Sequence, residues 1–448
     1  MAGWELALWS VVAMLFLIYI GMHIPTTLAL VSFICVWMIR DSATIASNLL
    51  WISAAQTVNQ FLFGVIPLFV MMGLLVGAAG MGRDTYDIGQ VLLRRIKGGL
   101  GMATVAANAI FAAITGVSVA SASIFSKLSV PEMLRYGYNK RFAVGTVAGS
   151  SVLGMLIPPS VLFIIYGIIS EQSIGDLFIS GIGPGLLLTF AYCVQILIMA
   201  YWFPKSVVTD QRAFDAAARA SAVEMASVNL WAKALPILTL VVLVLGGLYA
   251  GVFTPVEAGA AGAFAALIFA IVRRRLTWRV LWDVILETGS ITATLLFLIV
   301  AASMYSRMLG MSGLPNELGS LMESIHVGMW GTIAIYIIIV LILGTIIDST
   351  SIMLIMVPLF LPLLKQYNVD LIWFGVITVI ATEIGLLTPP FGLSVFVVHS
   401  TLARKDITLA DIFIGALPFA ATMGVVLLLV IVMPDIATYL VRVAASMR

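Results

Sequence analysis

The sequence predicts an all-α polytopic membrane protein of two inverted-topology repeats, with about ten full spans and two re-entrant helical hairpins. Three observations predict it: an excess of apolar residues, the placement of the few basic ones, and an internal repetition at a nearly constant offset. Of 448 residues, 62% are hydrophobic and 10% charged, against about 45–50% and about 25% in a typical soluble domain. The mean hydropathy is +1.14. Such a chain cannot cover itself with polar side chains, so its outer surface faces the lipid bilayer. A soluble enzyme, a nucleic-acid binder and a disordered chain are excluded. The net charge of +2 implies no acidic partner. Cys35 and Cys193 both lie in apolar runs and build neither a disulfide framework nor a metal site.

At about 20 apolar residues per crossing, the spans run Trp4–Met22, Ile24–Ile39, Phe61–Gly80, Phe142–Ile169, Leu177–Phe203, Trp231–Ala250, Pro255–Val272, Ile285–Gly310, Leu371–Val398 and Thr408–Val432. No basic residue precedes the first run and no small-residue cleavage site follows it, so it reads as a retained span, not a signal peptide. Two further apolar stretches, Leu100–Val130 and Met329–Leu364, are interrupted by ITGVSVASAS and GTIIDSTS. Arg83, Arg94, Arg95 and Lys97 precede the first stretch, and Lys127, Arg135, Lys140 and Arg141 follow its tip. The positive-inside rule places both flanks in the cytoplasm. A segment that starts and ends on one side is a hairpin, with its tip near Thr115–Ser118. The second stretch is flanked by Met311–Val327, which lacks Lys and Arg, and by a segment with Lys365 alone. It is a hairpin from the opposite face. Arg273, Arg274, Arg275 and Arg279 mark another cytoplasmic cluster, Arg404 and Lys405 a further one, while Glu171 and Asp176 lie outside. Both termini fall on the outer side, which leaves Arg442 and Arg448 there against the rule.

Tyr19, Gly21 and Pro25 recur as Tyr249, Gly251 and Pro255. Gly154 and Pro158-Pro159 recur as Gly385 and Pro389-Pro390, Asp176 and Phe178 as Asp411 and Phe413, and Pro184 as Pro418. The offsets lie between 230 and 235. This ordered set implies a first repeat over 1–203, a cytoplasmic polar linker over 204–230, which carries Lys205, Arg212 and Arg219, and a second repeat over 231–448. Five spans and a hairpin make an odd number of crossings, so the halves insert in opposite orientation. That is the plan of secondary transporters whose sites sit where helices break at the midplane.

Backbone that leaves the helix at membrane depth must be satisfied by protein, water or ligand. Four such segments are visible: the two hairpin tips, GMLIPPS (Gly154–Ser160) and GLLTPPF (Gly385–Phe391). Carbonyls freed by proline suit a hard cation such as sodium, and helix amino termini suit an anion. Thr115, Ser118, Ser121, Ser123, Ser349, Thr350, Ser351 and Thr388 add hydroxyls. Asp348 on the second tip is the foremost candidate for a charged cation ligand, and Glu383 follows. Burying a carboxylate at this depth costs about 2.5–3.5 kcal/mol. Glu257 complements a helix dipole after Thr254-Pro255, and Arg307 snorkels to the interface. His23, His326 and His399 form no metal cluster. Gly116-Val117-Ser118-Val119-Ala120 lacks the second glycine of a nucleophile elbow. No GxxxxGK[ST] motif is present, and no Ser/His pair or second acid faces Asp348, which argues against an intramembrane enzyme.

The runs GTVAGSSVLGMLIPPSVLFIIYG, DLFISGIGPG, TPVEAGA and ATEIGLLTPPFGLSVF resemble the large membrane subunit of tripartite ATP-independent periplasmic (TRAP) transporters, over essentially the whole chain. The resemblance implies sodium-coupled uptake of an organic acid, with sodium as coupling ion and no organic cofactor, in the bacterial or archaeal cytoplasmic membrane. It implies an elevator, in which a transport domain of hairpins and broken helices slides against a scaffold. Its implied partners are an extracytoplasmic solute-binding protein and a small four-helix membrane subunit, here a separate polypeptide because the first span begins at Trp4. It further implies one sodium site at Gly116 and Ser118 with carbonyls near Gly154 and Pro158, and a second at Asp348, Ser349 and Ser351 with Thr388 and Pro390. The solute lies between the tips, facing Thr115, Ser118, Ser121, Ser349, Thr350, Ser351 and Ser394, the last standing where many relatives carry Asn. The competing expectation is a stand-alone sodium–divalent-anion symporter, which needs no binding protein.

Overall fold

The computed structural model describes residues 3–59, 61–93, 96–209, 229–324, 326–390 and 392–447. Arg94, Arg95, Arg212, Arg219, Phe391, Arg448 and most of the polar linker lie outside them. The described residues fold into helices joined by short turns, with a single isolated antiparallel bridge between Tyr138 and Val208. In chain order the helices are α1 (Gly3–Tyr19), α2 (Ile24–Arg40), α3 (Ala43–Val58), α4 (Val65–Ala78), α5 (Met81–Leu93), α6 (Gly99–Thr115), α7 (Ser118–Arg135), α8 (Lys140–Ser151), α9 (Leu153–Leu156), α10 (Val161–Ser170), α11 (Ile174–Trp202) and α12 (Pro204–Val207). Then follow α13 (Leu230–Tyr249), α14 (Pro255–Val272), α15 (Trp278–Ser312), α16 (Leu314–Ser324), α17 (Met329–Gly344), α18 (Ser349–Gln366), α19 (Leu371–Gly385), α20 (Leu393–Leu402), α21 (Leu409–Val432) and α22 (Asp435–Met447).

The helix starts are legible in the chain. Ser42, Ser160, Ser173, Asn229, Thr277, Asp348 and Asp370 each cap the helix that follows by accepting a backbone N–H. Thr254 with Glu257, and Thr408 with Asp411, form reciprocal capping boxes, which satisfy two otherwise unpaired amides at each start. Glu257 is therefore a capping group: its Oε2 accepts from Thr254 N and Oγ1, both at 2.8 Å.

Both expected hairpin stretches are helix–break–helix units, α6–α7 and α17–α18. Two expected spans are interrupted as well. The Phe142–Ile169 run bends by 41° at the break between Leu156 and Val161, and the Leu371–Val398 run splits into α19 and α20. Seven helices are long and apolar enough to cross a bilayer singly, eight if the bent pair counts as one, where the sequence predicts ten. The difference is one of helix length. α1 and α2 have 17 residues each, and the α19–α20 run is cut in two. The arm α18, expected as half of a hairpin, is itself one of the seven.

Four helices replace expected loops or uncounted chain: α3, α5, α16 and α22. In α5 the buried face carries Met81, Thr85, Tyr86 and Gly89, so a segment read from its charges as a loop is an amphipathic helix. Its Asp84 and Asp87 pair with Arg273, which caps the end of α14, and with Lys233 of α13. Arg442, anomalous as a free outer charge, pairs with Asp435 on α22.

Burial sorts the helices into an interior and a sheath. In α18, 67% of the most apolar stretch is buried inside the protein, whereas in α13 it is 17%. Residues 142–151 of α8, 161–167 of α10 and 373–383 of α19 are buried throughout. The broken elements and hairpin arms are the core. The sheath turns Trp231, Phe190, Leu417 and Val272 outward, as lipid contact requires. α8 packs closely on α21, where Gly145 and Gly415 let the two backbones touch. At its end Lys140 Nζ and Arg141 Nε donate to the buried Asp411 carboxylate at 2.7 and 2.8 Å.

A methyl group at Gly145 would overlap the Gly415 carbonyl. Gly145→Ala is expected to destabilise the chain by at least about 1–3 kcal/mol, the usual cost of overpacking. Gly424→Ala on the same α21, with nothing within 4 Å, should be neutral or stabilising by about 0.5–1 kcal/mol. Thermal unfolding of the two purified variants checks the contrast.

Candidate functional site

Each hairpin tip closes against one of the broken helices. At the first tip α6 ends at Gly116, which takes the left-handed conformation (φ 67°) as the helix C-cap. A side chain there would strike the Pro159 carbonyl, so glycine is demanded twice, by backbone conformation and by space. From the other side, a methyl at Gly154 would lie 2.9 Å from the Val117 carbonyl and 3.0 Å from Ser118 Cα. One hydrogen bond crosses the junction, from Val161 N to the Gly116 carbonyl at 3.3 Å. Ser160 stitches the break, its Oγ donating to the Met155 carbonyl and accepting from Phe163 N. Gly116, Ser118, Gly154 and Pro158 therefore meet in one buried place.

Several polar atoms are buried without a partner on the helices that form or flank this junction: the hydroxyls of Ser118 and Ser121 on α7, Thr146 on α8 and Ser394 on α20, and Asn108 Oδ1 on α6. These four helices pack on one another, α20 against both α7 and α8. Others of the kind are scattered through the bundle, as on Tyr192 and Tyr305. A buried polar atom with no partner costs about 1–3 kcal/mol, so such a group of oxygens favours a ligand that supplies positive charge or donors. Thr115 is differently disposed, its hydroxyl donating back to the Phe111 carbonyl at 2.9 Å. Asn108 and Thr146 are absent from the sequence-based set. Asn108 Nδ2 donates to Ser150 Oγ at 2.7 Å, which fixes its oxygen as the free end. A lone Asn inside an apolar helix was the available signal.

The second junction uses the same parts in a more open setting. Gly344, at the end of α17, faces Gly385 at the end of α19, and a methyl on the first would lie 2.7 Å from Cα of the second. The Asp348 carboxylate is engaged in its own helix start: Oδ2 accepts from Ser351 N at 3.0 Å and Oδ1 from Ser351 Oγ at 2.5 Å. Thr350 is half-buried beside it. Ser349 reaches across to Glu383, its Oγ donating to Oε1 at 2.9 Å, while the fully buried Oε2 has no partner. Thr388 Oγ1 donates to the Ile384 carbonyl at 2.8 Å. Pro389 and Pro390 are exposed, whereas Pro158 and Pro159 are buried. A cavity of about 370 Å³ opens here, lined by Gly344, Ile347, Asp348, Gly392 and Leu393 among others. The carboxylate meeting the second tip from the opposing helix is Glu383, while the Asp348 oxygens both accept from Ser351.

Both junctions offer carbonyl and hydroxyl oxygens, and the second adds the carboxylates of Asp348 and Glu383, the ligand types of a hard cation. Among the described residues no group of three His, Cys, Asp or Glu side chains is placed to hold a metal ion. The Arg307 guanidinium donates to Gln56 Oε1 on α3.

Comparison with known proteins places these features in a family. Residues 11–436 match the model described as "Tripartite ATP-independent periplasmic transporter, DctM component". The C4-dicarboxylate TRAP transporter large permease protein DctM of Pseudomonas aeruginosa is 33% identical over 385 residues, 85% of this chain and 86% of that one. The 2,3-diketo-L-gulonate TRAP transporter large permease protein YiaN of Escherichia coli is 31% identical over 84% of this chain and 86% of its own. Among solved structures the YdaH transporter of Alcanivorax borkumensis is similar in fold, with a TM-score of 0.58 over 85% of this chain and 87% of that chain at 13% identity.

Ser349→Ala strips Glu383 of its hydroxyl donor and is expected to cost about 1–3 kcal/mol. Adding Glu383→Leu should recover most of that loss, because no buried carboxylate then lacks a partner. Thermal unfolding of the single and double variants measures it.

Proposed function

Since the chain belongs to the family of DctM components of tripartite ATP-independent periplasmic transporters, we propose that it takes up an organic acid, coupled to sodium and delivered by an extracytoplasmic solute-binding protein. It is a transport subunit rather than an enzyme, and it crosses the inner membrane several times. The observation that carries the coupled reading is the first junction, where backbone carbonyls and unpartnered hydroxyls converge in a buried place with no cation of the protein among them. The sodium ligands are then drawn from Gly116, Ser118, Gly154 and Pro158. A second set comes from Asp348, Ser349, Thr388 and Pro390, with Glu383 added. Solute contacts fall to Thr115, Ser118, Ser121, Ser349, Thr350, Ser351 and Ser394. Here sodium is cargo: it enters with the solute and leaves on the other side.

Two repeats of opposite orientation, 1–203 and 231–448, joined by the linker 204–230, account for the paired offsets and for a broken helix beside each hairpin. In this reading the hairpins and broken helices move as one body along a scaffold, and a separate small membrane subunit braces that scaffold. The names of several relatives support an organic-acid class, since they are named for C4-dicarboxylates, 2,3-diketo-L-gulonate and sialic acid, while one is named for the sulfonate isethionate and two for ectoine. The driving force suffices. Each net positive charge moved inward yields about 2.3 kcal/mol per 100 mV, roughly 40-fold accumulation at 1.4 kcal/mol per tenfold.

Proteoliposomes holding the chain and its small partner test this reading, with radiolabelled acids presented on their binding protein. Uptake is expected only with an inward sodium gradient and with the binding protein. Ser118→Ala should lower it by about tenfold, the equivalent of ~1.4 kcal/mol, and raise the sodium concentration needed for half-maximal rate. Undiminished uptake without the binding protein would establish a stand-alone sodium–divalent-anion symporter instead.

A further inference from the structure

A polar cavity lies away from both junctions. It encloses about 390 Å³ between α3, α15, the end of α10 and the middle of α18, a volume within the range of about 300–1,000 Å³ usual for small-molecule sites. Its membrane level follows from helix geometry. Arg279, in the basic cluster at the cytoplasmic end of α15, precedes Arg307 by 28 residues on one unbroken helix, about 42 Å at 1.5 Å per residue. Arg307 is therefore at the opposite, outer face. The remaining walls agree. Ile168 lies eight residues outward of the break at Ser160, and Pro358 nine residues outward of Ser349 at the second tip, which is about 12 and about 14 Å of helix. The cavity sits on the outer approach to the broken segments.

Its lining is polar where a solute would touch it. Ser303 and Ser306 stand within one helical turn of Arg307 and share the wall with it, and Gln56 closes the side opposite. Arg307 is the one basic residue of the lining and Glu171 the one acidic residue, and among the described residues Arg307 enters no ion pair. Gln56 accepts from Nη2 alone. The guanidinium keeps its other N–H donors, in the forked geometry that matches a carboxylate.

We propose that this cavity is an outer receiving site for carboxylates, in which Arg307 holds the acid group of an arriving solute, with the Ser303 and Ser306 hydroxyls on its remaining oxygens, before the solute reaches the junctions. The inference rests on the reading of the chain as an organic-acid carrier. Gln56 orients the guanidinium, and Glu171 opposes it by repelling the same anion.

The complete transporter in proteoliposomes, supplied with saturating binding protein loaded with a radiolabelled C4-dicarboxylate, provides the test. R307Q should lower the initial uptake rate about tenfold, and R307K should recover most of it. E171Q should equal or exceed the unsubstituted rate, a direction that a folding defect does not produce. The affinity of R307Q for the binding protein should be unchanged. Unaltered uptake by R307Q overturns the proposal, as does a loss of binding-protein affinity that accounts for the lower rate. If the unsubstituted transporter takes up no member of a panel of mono- and dicarboxylates, the organic-acid reading falls and this site falls with it. Normal uptake by the unsubstituted transporter with an indifferent R307Q removes the receiving site alone.

Discussion

A peptide group that leaves its helix inside a bilayer has only the protein to turn to, and the architecture of this chain follows from that constraint. Its backbone breaks at membrane depth in four places, and each break is closed by another or by a side chain at its own rim. The Gly116 carbonyl takes the Val161 amide, Ser160 bridges the two ends of its helix break, and Asp348 receives the Ser351 amide in the first turn of α18. Glycines stand wherever two breaks face each other, since a methyl at Gly116, Gly154, Gly344 or Gly385 would hold them apart. Breaks that must be closed this way cannot lie at the lipid boundary. They draw α6–α10 and α17–α20 into the middle and leave the uninterrupted helices to wrap them.

The seam between α8 and α21 binds distant parts of the chain into that core. Asp411 completes the capping box of α21 with Thr408 and at the same time receives Lys140 and Arg141 from the start of α8. One carboxylate thus fixes where two helices begin relative to each other. Beyond it the Gly145–Gly415 approach holds their axes together. Because α20 leans on both α7 and α8, the second half of the chain packs against the first hairpin although more than two hundred residues separate them in sequence.

The strongly marked parts of this plan were legible from the chain. Hairpins and broken helices announce themselves as polar, helix-breaking residues inside apolar runs. The amphipathic helices α5, α16 and α22 escape such a reading because a helix half apolar and half charged averages to the composition of a loop. Span counting errs for a related reason: length in residues says nothing of where a helix is cut, as at Leu386–Gly392. Side-chain assignments fare by locality. Ser118 and Ser121 are visible because they crowd a tip. Asn108 and Thr146 become polar neighbours only when α6 and α8 pack. That Asp348 also caps its own helix through Ser351, and that Ser349 meets Glu383 across the junction, no count of membrane charges reveals.

The length of α15 carries a consequence of its own. Thirty-five residues make a rod of about 52 Å, where the hydrocarbon layer is about 30 Å deep. The rod must lean steeply or stand proud of the membrane. Its cytoplasmic third, with Trp278, Trp282, Asp283 and Glu287, is suited to the headgroup zone. Lipid thickness thereby acts on the molecule as a mechanical variable: a thinner membrane tips this helix further over and a thicker one straightens it. Acyl-chain length in the host membrane becomes part of the molecule's working conditions.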